Sequence, residues 1–202
     1  MTTGELITSS TVLPTAHGQL VATHFHGEDG LECVTFSSPW NAGQPVFVRM
    51  HSACLFGEAI GSELCDCRQQ LDSSLRLIGA QGGVVVYLPQ EGRGMGLGRK
   101  IEAMELERSH AFNTVEAFEM LGAESDPRSY DIALAALQFH NVGKRLRLLT
   151  NNPKKIAALT SAGYLIERIE AKVALTRSCA AIVVKKQKAL GHFVYSQIDY
   201  ID

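Results

Sequence analysis

Apolar positions change their spacing along this chain near Gln69. Upstream they fall in short runs broken by turn residues, the signature of strands. Residues 11–26 predict a hairpin that turns at Ala16-His17-Gly18, with QLVATHFH as its second strand. Simple alternation would put Leu20, Ala22 and His24 on one side of that strand and Val21, Thr23 and Phe25 on the other. Residues 31–37 predict a further strand and 39–44 a turn. PVFVRM (45–50) predicts a strand that carries Arg49 and His51 toward the cysteines that follow. The first ten residues are polar and predicted to be loose.

Downstream the helical period takes over. Leu71, Leu75 and Ile78 predict a helix from Gln69 that ends across 80–83, and GGVVVYL after it is apolar enough for a strand covered on both faces. Helices are predicted over 100–110, 114–121 and 130–140, the last with an apolar stripe of Ile132, Ala135, Ala136 and Phe139. The segment 146–169 is the most explicit. A strand leads to Asn152 as N-cap, Pro153 at the first helical position and Gly163 as the stop, and YLIERI supplies the next strand, a β-α-β unit with a parallel pair. The basic tail from Lys172, with AAIVV and the Lys185-Lys186-Gln187-Lys188 cluster, reads as a strand and a final helix, mostly solvated. The whole predicts one α/β domain over 1–202, a mixed sheet with flanking helices.

Composition narrows the function only a little. A 202-residue chain that is 46% hydrophobic can bury one substantial core. A formal net charge of -2 gives no general drive toward nucleic acid, while leaving room for a local basic pocket that takes a phosphorylated small molecule. Five cysteines in this length do not make a disulfide scaffold. With neither a signal-like start nor an apolar run of membrane-spanning length, the expectation is a soluble, cytoplasmic protein with no membrane partner.

The chemistry concentrates in CLFGEAIGSELCDC. Cys54, Cys65 and Cys67 can converge on one zinc ion as thiolates and leave its fourth tetrahedral position to water. Buried thiols acting as small hydrophobes are the alternative, weakened by Asp66 and Arg68 beside them. His24 and His26 share a strand face and read as solvated rather than as ligands. The run QEGRGMGLGRK matches neither the dinucleotide fingerprint nor the GxxxxGK[ST] loop. A strand end opening into glycines and cations still brings backbone N–H groups near phosphate. Glu91, Arg93, Arg99, Lys100, Arg128, Lys154 and Lys155 are the candidate groups for a polyphosphate.

The blocks RMHSACLFGEAIGSELCDC, YLPQEGRGMGLGRK, NTVEAFEMLG, SDPRSYDIA and LLTNNPKK, in this order, resemble GTP cyclohydrolase II, the enzyme at the entrance to riboflavin synthesis. The resemblance covers about residues 10–195 and implies the fold of that family. It further implies zinc on Cys54, Cys65 and Cys67, and a nucleophilic Arg128 that attacks the α-phosphate with Asp126 as its acidic partner. The nucleotide would be held by Arg49, His51, Ser52, Gln70, Glu91, Gly92, Arg93, Thr114, Thr150 and Lys155. It implies GTP as substrate, magnesium with the triphosphate and a homodimer, while the near-neutral charge gives the expectation of no nucleic-acid partner. Zinc-activated water would open the imidazole ring at C8, and a second hydrolysis would remove formate.

Several positions depart from the family pattern. Ala53 stands where glutamate is usual, SELCDCR (with Leu64 and Arg68) where SLRCDCG is common, Pro89 for arginine, and Arg99 and Phe118 for asparagines. Met104 replaces a tyrosine associated with completing hydrolysis, and a thioether donates no hydrogen bond. The expectation is ring opening that stops at the 5-formylamino pyrimidine nucleotide. The complete reaction, the same chemistry on another nucleotide, and a non-catalytic nucleotide-binding subunit stay open as alternatives.

Overall fold

The computed structural model describes residues 7–27, 30–110, 112–122, 126–171 and 173–193. The chain is α/β, with a seven-stranded mixed sheet flanked by helices. It divides into two compact units, residues 1–51, 71–89 and 129–171 in the first and residues 52–70, 90–128 and 172–202 in the second.

The first unit carries the sheet. Its strands are β1 (Ile7–Thr15), β2 (Gly18–His26), β3 (Glu32–Ser38), β4 (Val46–Ser52), β5 (Gly83–Leu88), β6 (Arg145–Leu149) and β7 (Leu165–Ile169). They lie in the order β1-β2-β3-β5-β4-β6-β7. β1, β2, β3 and β5 pair antiparallel in turn, while β4, β6 and β7 run parallel. The hairpin closes with Thr15 opposite Gly18, and its first strand begins at Ile7, so 7–10 are paired rather than loose. Residues 1–6, also expected to be loose, lie outside the described residues.

Both faces of this sheet are covered, which explains the continuous apolar run of β5. Val84, Val86 and Leu88 join Val46, Val48, Met50, Leu146 and Leu148 in one core against α5 (Asp131–Phe139) and α6 (Pro153–Ser161). Val85, one residue out of phase, packs instead with Leu20, Ile78, Leu71 and Leu75, the last three from α2 (Cys67–Gln81). β2 alternates as expected, but the face that is buried changes along it. Leu20 is buried in one cluster, and Thr23 and Phe25 are buried on the opposite face, because helices cover different ends of the strand. α2 approaches the hairpin closely at Gly79, where a Cβ would stand 2.1 Å from the His17 carbonyl oxygen.

The β-α-β unit forms as its local chemistry predicts. The Asn152 side chain accepts from the Lys154 N–H, Pro153 starts α6, and Gly163 follows its end at φ 82°. α5 turns a different stripe inward from the expected one. Ile132, Ala133, Ala136 and Leu137 are buried, whereas Phe139 is half exposed and meets Phe25 edge-on at 5.1 Å.

The second unit holds α1 (Leu55–Glu58), the first turn of α2, a 3-10 turn at Glu91–Gly94, α3 (Gly96–His110), α4 (Thr114–Met120) and α7 (Arg177–Leu190). α3 begins at Gly96, four residues earlier than expected, so two of the run's glycines are helical. α4 starts with a capping box between Asn113 and Glu116. The expected strand at AAIVV is absent, since 180–184 lie inside α7. Cys179, Ala180 and Val183 of α7 are buried together with Leu175 just before it, so this part of the tail is not solvated. The side chains of Lys185 and Lys186 lie outside the described residues. No helix among the described residues is long and apolar enough to cross a membrane.

Candidate active site

Three sulfurs meet in the second unit. Cys54 is the N-cap of α1, Cys67 opens α2, and Cys65 lies two residues before Cys67. The ligand atoms all lie within 4.8 Å of one another, and the Cys54 and Cys65 sulfurs are 3.6 Å apart. Thiolates at about 2.3 Å from a tetrahedral zinc would stand ~3.8 Å from each other. The cluster therefore fits zinc with little adjustment, and it is the one group of potential metal ligands of this kind among the described residues.

Local chemistry builds this geometry. Cys54 Sγ accepts from the Gly57 N–H at 3.4 Å, and the Cys54 N–H donates to Glu58 Oε1 at 2.9 Å. Asp66, buried between the two other cysteines, accepts from the Gln70 amide one helical turn on. Hydrogen bonding to Cys65, then to Cys67, holds the Cys54 thiol well below its ordinary range against the opposing effect of burial. Cys65 is pushed upward by the same Cys54 contact. A cluster that already favours a thiolate is suited to a dication.

Beside the sulfurs lies a cavity of about 450 Å³. Cys54, Cys65, Cys67, Glu91, Arg93 and Arg128 contribute its polar lining, and Phe56, Ala103, Met104, Phe118 and Ile182 its apolar lining. Asp126 and Arg128 form a two-pronged ion pair, with Nε to Oδ1 at 2.7 Å and Nη2 to Oδ2 at 2.8 Å. Arg128 Nη1 donates to Ser52 Oγ at 3.3 Å, and Ser52 in turn donates to Gln90 Oε1 at 3.2 Å. Such a fork presents a planar, oriented guanidinium at the cavity wall.

The 3-10 turn aims Arg93 by unusual means. Gly92 and Arg93 both adopt left-handed backbone angles, with φ 58° and 60°. In arginine this conformation costs on the order of 1 kcal/mol or more. The strain places the guanidinium over the Phe118 ring at 4.8 Å and within 2.9 Å of Thr114 Oγ1. Burial, and then the neighbouring Arg128 charge, push Arg93 below its ordinary value, an environment that an anionic ligand would relieve. Phe118 is thus the platform on which this arginine lies.

The remaining residues expected to hold nucleotide belong to the first unit, Arg49 and His51 in β4, Thr150 directly after β6 and Lys155 in α6. Arg49 donates to the Leu149 carbonyl at 3.0 Å and lies 3.4 Å from His51 Nδ1, and His51 stacks on Tyr87 at 5.7 Å. Thr150 accepts from the Asn152 N–H, and buried Lys155 donates to the Met50 carbonyl at 2.8 Å. Arg99 is an exposed partner of Glu102 rather than part of the cavity lining. Lys100 faces the sulfurs, a contact its place among the basic residues did not suggest. Ile182 and His192 line the cavity from the tail, where no motif announced them.

The family model for GTP cyclohydrolase II matches residues 6–170 of this chain. A GTP cyclohydrolase-2 from Helicobacter pylori is 39% identical over 191 residues, covering 93% of this chain and 97% of its own. One from Shewanella baltica is 41% identical over 194 residues, covering 94% of each. The riboflavin biosynthesis protein RibBA of a Synechocystis species is 44% identical over 154 residues, 75% of this chain and 27% of that protein. With the family model spanning most of the chain and relatives aligned nearly end to end, this chain belongs to the GTP cyclohydrolase II family.

Proposed function

We propose that this protein is a cyclic amidine hydrolase that opens the imidazole ring of GTP, releases pyrophosphate, and stops at the 5-formylamino pyrimidine nucleotide. One observation carries the reading: Cys54, Cys65, Cys67, Arg128 and Met104 line a single cavity. Zinc on the three sulfurs would supply acidified water for attack at the purine C8. Magnesium would accompany the triphosphate, as a hard cation does with phosphate oxygens.

The chain's own groups divide the remaining work. Arg128, held by Asp126, would act on the α-phosphate, where the bond to the β-phosphate breaks and pyrophosphate leaves. A guanidinium stays protonated in proteins, so attack by Arg128 on phosphorus would require its proton to pass to a base, and Asp126 Oδ1 lies 2.7 Å from its Nε. As a clamp, Arg128 would keep its proton and stabilise the charge on the phosphate while water attacks the α-phosphorus, its oxygen staying on the monophosphate and its proton passing to solvent. Arg93, braced by Phe118 and Thr114, adds a second cation to the same lining.

Loss of formate from the opened ring needs a second tetrahedral intermediate, with charge developing on the formyl oxygen. A missing donor at such a site costs about 3 kcal/mol, roughly a hundredfold in rate. Met104 lines the cavity and offers no donor. The variant Met104→Tyr should accordingly raise formate release from GTP while leaving pyrophosphate release near wild type. Formate produced by the wild type in step with pyrophosphate would overturn the arrested reaction, leaving the complete one.

A further inference from the structure

We infer that Lys100 is a positioning residue for the three-sulfur site, supplying its counter-charge through a direct hydrogen bond to the Cys54 sulfur. The inference rests on reading Cys54, Cys65 and Cys67 as the zinc ligands. Lys100 Nζ lies 3.2 Å from Cys54 Sγ and 2.6 Å from Glu91 Oε1. Glu91 is itself fixed, since its other carboxylate oxygen accepts from the Leu55 N–H at 2.7 Å, directly after Cys54. The ammonium also lies 4.8 Å from the centre of the Phe56 ring. Lysine stem, glutamate and α1 therefore form one closed circuit around a ligand, and the lysine side chain is only 18% exposed.

The packing of this circuit depends on Gly92. A Cβ at that position would stand 3.2 Å from Lys100 Cβ, tighter than ordinary contact. These contacts argue against a lysine reserved for phosphate, because its charge is already committed to a sulfur and a carboxylate. Three thiolates around a dication leave a net negative charge, which weakens the pull on the fourth ligand. An ammonium bonded to one sulfur withdraws electron density from it, eases the mutual repulsion of the three anions and fixes the Cys54 rotamer. Groups in this relation to a ligand commonly govern metal affinity roughly tenfold to a hundredfold.

Cobalt(II) tests the idea, because its sulfur-to-metal charge-transfer band reports the donor strength of the thiolates without any turnover. Wild-type protein and Lys100→Met, which keeps the apolar stem, are each loaded with cobalt, and zinc affinity is measured by competition with a chromophoric chelator. The expected result is a band moved to lower energy in Lys100→Met and zinc affinity reduced roughly tenfold to a hundredfold, with Lys100→Arg closer to wild type in both. Should Lys100→Met fail to fold, Lys100→Gln gives a shift in the same direction. An unmoved band with unchanged affinity would overturn the role of Lys100 while leaving the metal site intact. Wild-type protein that binds neither metal would overturn both.

Discussion

Adding one methyl group at Gly57 should dismantle the proposed zinc site without altering a ligand or a charge. Gly57 is the buried third residue of α1, and its φ is not among the positive values, so alanine is tolerated by the backbone. On helix propensity alone the change to alanine would be favourable by roughly 0.5–1 kcal/mol. The new Cβ, however, would stand 2.5 Å from Cys65 Sγ, 3.2 Å from Cys67 Cβ and 3.4 Å from Cys54 Sγ. Carbon contacts settle at about 3.5–4.0 Å, so the Cys65 sulfur must withdraw by on the order of 1 Å. Ligand distances tolerate only about 0.2 Å. Overpacking of this kind costs about 1–3 kcal/mol, which exceeds the propensity gain. Loss of zinc affinity should reach about a hundredfold, about 2.8 kcal/mol at 1.4 kcal/mol per decade. Chelator competition measures the affinity directly. Thermal unfolding with excess zinc provides the second reading, since a ligand that binds only the folded state raises the midpoint. Gly57→Ala protein that binds zinc as tightly as wild type would refute the arrangement of the three sulfurs.

Other outcomes follow from the same geometry. Arg128→Ala should lower pyrophosphate release from GTP by roughly a hundredfold or more with zinc content unchanged, and Asp126→Asn, which keeps the arginine while loosening its fork, should be milder. Normal pyrophosphate release by Arg128→Ala would remove both roles for that residue. Stability should also depend on His140. Its Nε2 lies 2.8 Å from Thr35 Oγ1 and its ring meets Phe25 and Phe139, and burial lowers its pKa below the ordinary 6.5. Below that value the unfolded chain binds a proton that the folded chain resists. The His140 contribution is therefore complete above pH 6.5, falls as the pH drops toward the folded-state value, and then levels off. Urea unfolding from about pH 7.5 to about pH 5 should show a shallower decline for His140→Gln than for wild type; parallel slopes would contradict the shift.

Local chemistry was legible wherever it alone decides the outcome. Asn152, Pro153 and Gly163 frame α6 because capping, a fixed φ and a left-handed stop act within a few residues. The three cysteines could be singled out because thiolates beside charged residues are unusual in a core. Reading failed where packing at long range decides. AAIVV is β-branched and apolar, yet Leu175, Cys179 and Val183 recur at a helical spacing and are buried together, so tertiary contact overrides strand preference. The stripe of α5 and the switch of face along β2 depend on which neighbours cover them. Lys100 sat in a glycine-rich basic run that suggests phosphate. Its bond to a sulfur 46 residues earlier in the chain has no local signature.

The proposed reaction is ring opening of GTP at a three-cysteine zinc site, arrested before formate leaves. Mass spectrometry of the products formed by zinc-loaded and zinc-stripped protein tests it most directly. With zinc, the expected products are pyrophosphate and a lasting nucleotide of the mass of GMP plus one water, and without zinc no ring-opened product. Wild-type protein that yields the deformylated diaminopyrimidine nucleotide would contradict the arrest, and ring opening unchanged by removal of zinc would contradict the site itself.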